Sequence, residues 1–316
     1  MNNINNMARV LISGGNGFLG SFLTDFLVSN GTSVTVVDDL STSKRRQVSD
    51  KAKFIKMKIE KFKTKEKFDF VIHLAARPSP EDYIQNPLAT INSNDLGTRV
   101  MLEIARKSDA VFMYTSTSEV YGDPSILPIP ETYFGYVNPN GVRSCYDESK
   151  RFSESLIKAY ERQYGLDIRI QRPFNVYGPR IREDGFYGRV IPRFIDQAIK
   201  NDSITIHGDG KQTRSFLYVE DWLSATSKIL TSPKAKGEIF NVGNNNEISI
   251  NKLAKIILSQ TKSKSDIVHI KPREEDPRRR AADIRKIKRI LGWEPKVSLE
   301  DGLKRTIDWF ISKNSL

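Results

Sequence analysis

Apolar residues follow two rhythms along this chain. In 8-ARVLISGGNGFLGSFLTDFLVSNG-31 a run of apolar positions gives way to glycines, then to apolar residues three and four apart. That pattern predicts a buried strand, a turn, and an amphipathic helix ended by Gly31. The β-branched stretch 33-SVTVVDD-39 predicts a second strand, 69-DFVIHLAA-76 a third, and 110-AVFMYTSTSEVYG-122 a fourth that runs into a loop. Helical spacing recurs over residues 88–108 and 145–164, and 168-IRIQR-172 is a further short strand. Strands alternating with helices predict an α/β fold, a doubly wound parallel sheet of Rossmann type.

After about residue 175 the rhythm loosens into loops rich in Gly, Arg and Asp, with helices expected near 189–200, 249–261 and 299–313. The expected organisation is a dinucleotide-binding domain over 1–175, which also receives residues 212–232. A smaller C-terminal α/β substrate lobe is expected over 176–316.

Composition narrows the function classes. The 316 residues are 38% hydrophobic and 28% charged, as in a soluble globular protein. No apolar run approaches the ~20 residues that span a bilayer, so no membrane partner is expected. The polar start MNNINN leads into a strand and does not read as a signal peptide. A single cysteine, Cys145, excludes an internal disulfide framework and fits a reducing cytoplasm. His73, His207 and His269 have no ligand spacing, so no metal is expected. The net charge of +12 fits either a lysine-rich solvated face, as in KFIKMKIEKFKTKEKF, or a phosphate-bearing partner. With no nucleic-acid-binding motif, a small phosphorylated ligand is the better reading, and no nucleic-acid partner is expected.

Two constellations carry chemistry. In 14-GGNGFLG-20, Gly14, Gly17 and Gly20 lie between a strand and a helix, where glycine lets the backbone approach a pyrophosphate seated on the helix N-terminus. Asp38, ending the second strand, can accept hydrogen bonds from ribose hydroxyls and would repel a 2′-phosphate. NAD is therefore favoured over NADP, although Lys44, Arg45 and Arg46 lie close in sequence. The second constellation pairs 115-TSTSEVYG-122, at a strand's carboxyl end, with Tyr146 and Lys150, one turn apart on a helix. Tyr146 can act as general base toward a sugar hydroxyl and Thr117 can share that hydrogen bond. Lys150 is expected to lower the phenol's pKa and hold the nicotinamide ribose. Around them, Cys145 is read as packing, and Asp147 and Glu148 as solvated or capping acids.

Together these motifs resemble the extended short-chain dehydrogenase/reductase family that modifies nucleotide sugars, over nearly the whole chain. The segments 135-GYVNPNGVRSCYDESKR-151 and 276-DPRRRAADIRKIKRILGWEPKVSLEDGL-303 are similar to its UDP-glucuronate decarboxylase branch. More general family marks are 72-IHLAA-76, 172-RPFNVYGPR-180 and 208-GDGKQTRSFLYVED-221. The resemblance implies that Phe18, Leu19, Leu74, Ala75 and Ala76 also line the NAD site. It implies that Ser118 and Glu119 position or protonate the substrate, and that Tyr83, Asn175, Arg189, Arg214, Arg273 and Arg280 hold a UDP-sugar. It further implies a homodimer through a four-helix interface built from 88–108 and 145–164. The activity implied is decarboxylation through a 4-keto sugar. Two departures leave 4,6-dehydration or 4-epimerisation open as alternatives: Pro192-Arg193 replaces a small–amide pair, and Ala281-Ala282 a basic–proline step.

Overall fold

The computed structural model describes residues 8–43, 45–182, 189–272 and 278–314. The opening strand and helix are β1 (Arg9–Ser13) and α1 (Phe18–Ser29), followed by β2 (Ser33–Asp38), β3 (Lys53–Lys56) and β4 (Phe70–His73). Next come α2 (Pro80–Gln85), α3 (Pro87–Asn94), α4 (Leu96–Ser108), β5 (Val111–Thr115), a 3₁₀ turn over Ser118–Tyr121, α5 (Ser144–Tyr164) and β6 (Ile168–Pro173). The remainder comprises β7 (Val176–Tyr177), α6 (Val190–Lys200), β8 (Ile204–His207), β9 (Thr213–Ser215), β10 (Leu217–Tyr218) and α7 (Val219–Thr231). The chain then forms β11 (Ile239–Val242), β12 (Glu247–Ser249), α8 (Ile250–Thr261), β13 (Ile267–Ile270), β14 (Arg279–Arg280), α9 (Arg285–Leu291) and α10 (Leu299–Asn314).

Seven strands form one sheet in the order β11-β6-β5-β4-β1-β2-β3, every pair parallel. Successive residues alternate between two buried faces. Val10, Ile12, Val36, Ile72 and Met113 join one apolar cluster; Leu11, Val37, Val71, Phe112 and Ile170 join the other. Both faces are covered, which is why these strands read as continuous apolar runs. The chain order reverses between β1 and β4, and at such a switch point a crevice opens at the strands' carboxyl ends.

Three elements differ from the sequence reading. The helix expected over 88–108 breaks at Asp95. Ser153 of α5 donates to the Asn94 carbonyl (2.8 Å), and Asn94 Nδ2 donates to Ser149 (2.9 Å), so α5 fixes the break. The lysine-rich stretch after residue 52 contributes an edge strand, β3, whose lysines suit an exposed edge. Within 212–232 the chain forms β9, β10 and α7, and the strand that rejoins the sheet is β11. Helix α7 is tied to β6 by Thr226 donating to Gln171 (3.1 Å) and by Arg169 donating to the Ile229 and Leu230 carbonyls (2.7 Å each).

A buried ion pair fastens α5 to the sheet. Arg172 of β6 donates to Glu154 of α5 at 2.9 and 2.5 Å, and Ser116 donates to the same carboxylate at 2.5 Å. Both partners are buried.

Candidate active site

A cavity of about 1160 Å³ opens above the switch point. The glycine turn, the ends of β5 and β6, the start of α5, the first turn of α6, and β9 and β14 all reach its wall. It is large enough for a dinucleotide and a nucleotide sugar together.

At one end lies the turn between β1 and α1. Gly14 has φ +69°, and a Cβ there would sit 2.6 Å from the Ala75 backbone. At Gly20 a Cβ would meet the Gly14 carbonyl oxygen at 2.1 Å, so helix and turn pack as closely as glycine permits. Gly17 differs: a Cβ would meet only the Gly14 oxygen, at 3.4 Å, leaving the space before the N-terminus of α1 open. Gly20→Ala should therefore cost about 1–3 kcal/mol of stability. Gly17→Ala should fold normally yet bind NAD at least about tenfold more weakly, a loss of ~1.4 kcal/mol. Thermal melts and NAD titrations on the two variants check this, and equal melting losses would reverse the assignment.

Asp38 ends β2 with its carboxylate accepting from the amides of Asn16 (3.0 Å) and Leu40 (2.9 Å). Burial pushes its pKa up, while those two amides oppose the shift. Arg46 is turned to the carbonyls of Ser49 (2.7 Å) and Ala52 (3.0 Å), whereas Arg45 lines the cavity. Phe18, Leu19, Leu74 and Ala76 line the cavity as well, with Ala75 on an adjoining pocket. Lys44 lies outside the described residues.

At the other end Thr117, Ser118 and Glu119 meet Tyr146 and Lys150 on the wall. Tyr146 is buried, which raises its pKa above the ordinary tyrosine value. A hydrogen bond with Thr117 lowers it, the charges of Glu119 and Asp147 raise it, and Arg189 lowers it. The pull expected of Lys150 thus comes in this structure from Thr117 and Arg189. Lys150 donates to the Thr115 carbonyl (2.8 Å) and lies 4.6 Å over the Tyr114 ring. Burial pushes the ammonium down to about 7, which weakens it as a source of positive field.

Tyr83 stacks on Tyr146 with ring centroids 5.3 Å apart and planes 8° from parallel. Its hydroxyl is buried with no hydrogen-bond partner among the described residues. Arg214 and Arg280 are register partners on β9 and β14, so two guanidiniums stand side by side on the wall. Arg214 donates to the Thr213 carbonyl (2.8 Å), and Asn175 spends its amide on the Ser215 carbonyl (2.9 Å). Arg189 lines the cavity just before α6, whereas Arg273 lies outside the described residues. Pro192 and Arg193 fall in the first turn of α6, where proline is tolerated, and both face the cavity.

Glu119 is clamped between the Arg280 and Arg143 guanidiniums. Burial alone would raise its pKa, but the two arginines prevail and hold the carboxyl at about 2. Glu119 is thus an anion that positions, and the expectation that it could protonate the substrate does not fit this geometry. Arg143 was missed in the sequence, although its spacing of four from Asp147 was a legible signal. The reading of Asp147 as a solvated or capping acid is corrected, since it is buried. Glu148 is a surface acid 3.5 Å from Arg151, and Cys145 Sγ contacts the Tyr83 carbonyl at 3.6 Å.

The model of the NAD dependent epimerase/dehydratase family matches residues 10–243. The chain belongs to this family. It is 41% identical over 306 residues to UDP-glucuronic acid decarboxylase 1 of Xenopus tropicalis, covering 96% of this chain and 72% of that protein. It is 42% identical over 300 residues to UDP-glucuronic acid decarboxylase 3 of Arabidopsis thaliana, covering 93% and 86%. Among solved structures it superposes on the UDP-glucose 4-epimerase of Thermotoga maritima with a TM-score of 0.89 at 31% identity, covering 97% and 99%. As an epimerase/dehydratase family member the chain should accommodate NAD, and its residues fit. The open face of Gly17 suits a pyrophosphate and Asp38 a ribose diol.

Proposed function

We propose that this enzyme decarboxylates UDP-glucuronate to UDP-xylose, with NAD retained through the cycle. The observation that carries the reading is Arg280. It is buried on the cavity wall beside its register partner Arg214, with one arm on Glu119. A guanidinium on the wall of a cavity suits a ligand carboxylate. The similarity to two UDP-glucuronic acid decarboxylases at 41% and 42% identity supports the same substrate.

NAD, when bound, supplies a hydride acceptor at sugar carbon 4 and returns the hydride at the end. Tyr146 removes the proton of the carbon-4 hydroxyl, and Thr117 steadies that oxygen. The resulting ketone is β to the carboxylate on carbon 5. The bond to the carboxylate carbon breaks, carbon dioxide leaves, and the electron pair delocalises into the ketone. Carbon 5 then takes a proton and the ketone is reduced. Arg280 and Arg214 hold anionic groups of the substrate, and Glu119 fixes Arg280. Residues 1–175, with β11 completing their sheet, hold the dinucleotide, and the rest of 176–316 mainly holds the nucleotide sugar.

Incubation with UDP-glucuronate and NAD should yield UDP-xylose and carbon dioxide in equal amounts. UDP-galacturonate would redirect the reading to 4-epimerisation, the activity named for the Thermotoga maritima neighbour. Turnover of GDP-mannose or a UDP-hexose with none of UDP-glucuronate would overturn it.

We further propose a cytoplasmic homodimer. Leu88, Leu96 and Phe152 are exposed apolar residues on α3, α4 and α5, as a four-helix interface requires. No helix of the described residues is long and apolar enough to cross a membrane.

A further inference from the structure

Two carboxylates, one buried and one partly buried, share one arginine beside the reacting group. Arg143 grips Glu119 and lies 3.6 Å from Asp147 through Nε. Its guanidinium also sits 5.9 Å from the centroid of the Tyr83 ring, which stacks on Tyr146. Glu119, Arg143 and Arg280 line the cavity, and Asp147 joins them through Arg143. Asp147 is 5% exposed, and its Oδ1 is buried with no hydrogen-bond partner among the described residues. A carboxylate in that position is poorly compensated, whereas a neutral carboxyl costs far less.

The charges in this cluster can be counted. Arg143, Arg280 and Arg214, the last of which also acts on Glu119, bring three positive charges, Glu119 one negative, and an ionised Asp147 a second negative. A substrate carboxylate arriving at Arg280 adds a third, beside the diphosphate that any UDP-sugar brings. The added anion raises the pKa of the acids next to it, and the one with the weakest hold is the first to be neutralised. Glu119 keeps Arg143, while Asp147 has only the looser contact.

We propose that Asp147 takes up a proton when a carboxylated sugar binds, and so balances the charge of the site. This rests on the reading of the substrate as UDP-glucuronate. Asp147 acts here as a positioning residue: neutral, it leaves Arg143 wholly to Glu119, which in turn keeps Arg280 in register for the sugar carboxylate. Neutralisation also removes one of the two negative charges that raise the pKa of Tyr146, favouring loss of the phenolic proton. The groups acting on Asp147 are Arg143 from the start of α5, Glu119 from the 3₁₀ turn and Arg280 from β14. Its own charge is felt by Tyr83 of α2 and by Tyr146 and Cys145 of α5. Burial, and next the charge of Glu119, already push Asp147 up to about 7 before any substrate is present.

The sign follows from linkage. Proton uptake on binding means that affinity for UDP-glucuronate falls as pH rises above about 7, approaching about tenfold per pH unit. The test is calorimetric titration of the enzyme loaded with NADH, so that the sugar binds without being oxidised, in buffers of different ionisation enthalpy. At pH 8 a group titrating at about 7 is about nine-tenths ionised. The wild type should then take up close to one proton per UDP-glucuronate and almost none per UDP-glucose, which lacks the carboxylate. Asp147→Asn, an uncharged mimic of the protonated acid, should abolish the excess uptake and leave Kd for UDP-glucuronate no more dependent on pH than Kd for UDP-glucose. Equal uptake with both ligands, or an excess with UDP-glucuronate that persists in Asp147→Asn, overturns the proposal. The comparison of two ligands on the wild type decides the matter even where the variant fails to fold. Carbon dioxide release from UDP-glucuronate without proton uptake sinks the role of Asp147 alone. Absence of both binding and carbon dioxide release sinks the substrate reading and this inference with it.

Discussion

Tyr146→Phe is expected to lower turnover by about 10²–10⁴-fold, the range that a general acid–base contributes, while NAD still binds. The substitution deletes one oxygen from a ring fixed by stacking against Tyr83, so the fold and the NAD end of the cavity should be undisturbed. What disappears is the phenol hydrogen-bonded to Thr117, the group proposed to take the sugar's proton. Release of labelled carbon dioxide from carboxyl-labelled UDP-glucuronate measures the loss, and an NAD titration measures what remains. A rate near that of the wild type would remove Tyr146 from its role. Weakened NAD binding to match would make the defect structural.

Arg172→Met should destabilise the protein by about 3–5 kcal/mol, the usual penalty for stranding one member of a buried ion pair. Glu154 would keep the Ser116 hydroxyl but lose both contacts from Arg172, leaving its charge buried on the helix that carries Tyr146 and Lys150. The variant removes two further bonds, since Arg172 donates to Tyr121 at 2.7 Å and to the Glu131 carbonyl at 3.2 Å. Urea denaturation gives the loss. Pairing the change with Glu154→Gln should recover a large part of it, because the stranded charge is the main cost. A double variant no more stable than Arg172→Met would place the cost in the lost Tyr121 and Glu131 contacts instead.

These two expectations draw on different layers of information. The pair Tyr146 and Lys150 was legible in the sequence because four-residue spacing on a helix fixes a shared face before any tertiary contact forms. The glycine turn was legible for a similar reason: strand, turn and helix are contiguous, and their geometry is local. Sheet class followed from alternation, since a strand covered on both faces must be apolar along its length. The break at Asp95 was not legible, because its cause is the pair of serines Ser149 and Ser153 on another helix.

The sequence by itself determined the fold class, the glycine turn between β1 and α1, and the shared helix face of Tyr146 and Lys150, all properties carried by short-range spacing. Only the tertiary structure decided the electrostatics around that phenol. Glu119 and Arg280 are 161 residues apart, and they meet because β14 pairs with β9 and closes the cavity over the 3₁₀ turn. Burial of Asp147 is likewise a property of what packs over the start of α5, and nothing in SCYDESKR distinguishes a buried acid from a solvated one. Spacing places side chains on faces, but desolvation and charge partners depend on distant segments, and those set the charge each group carries.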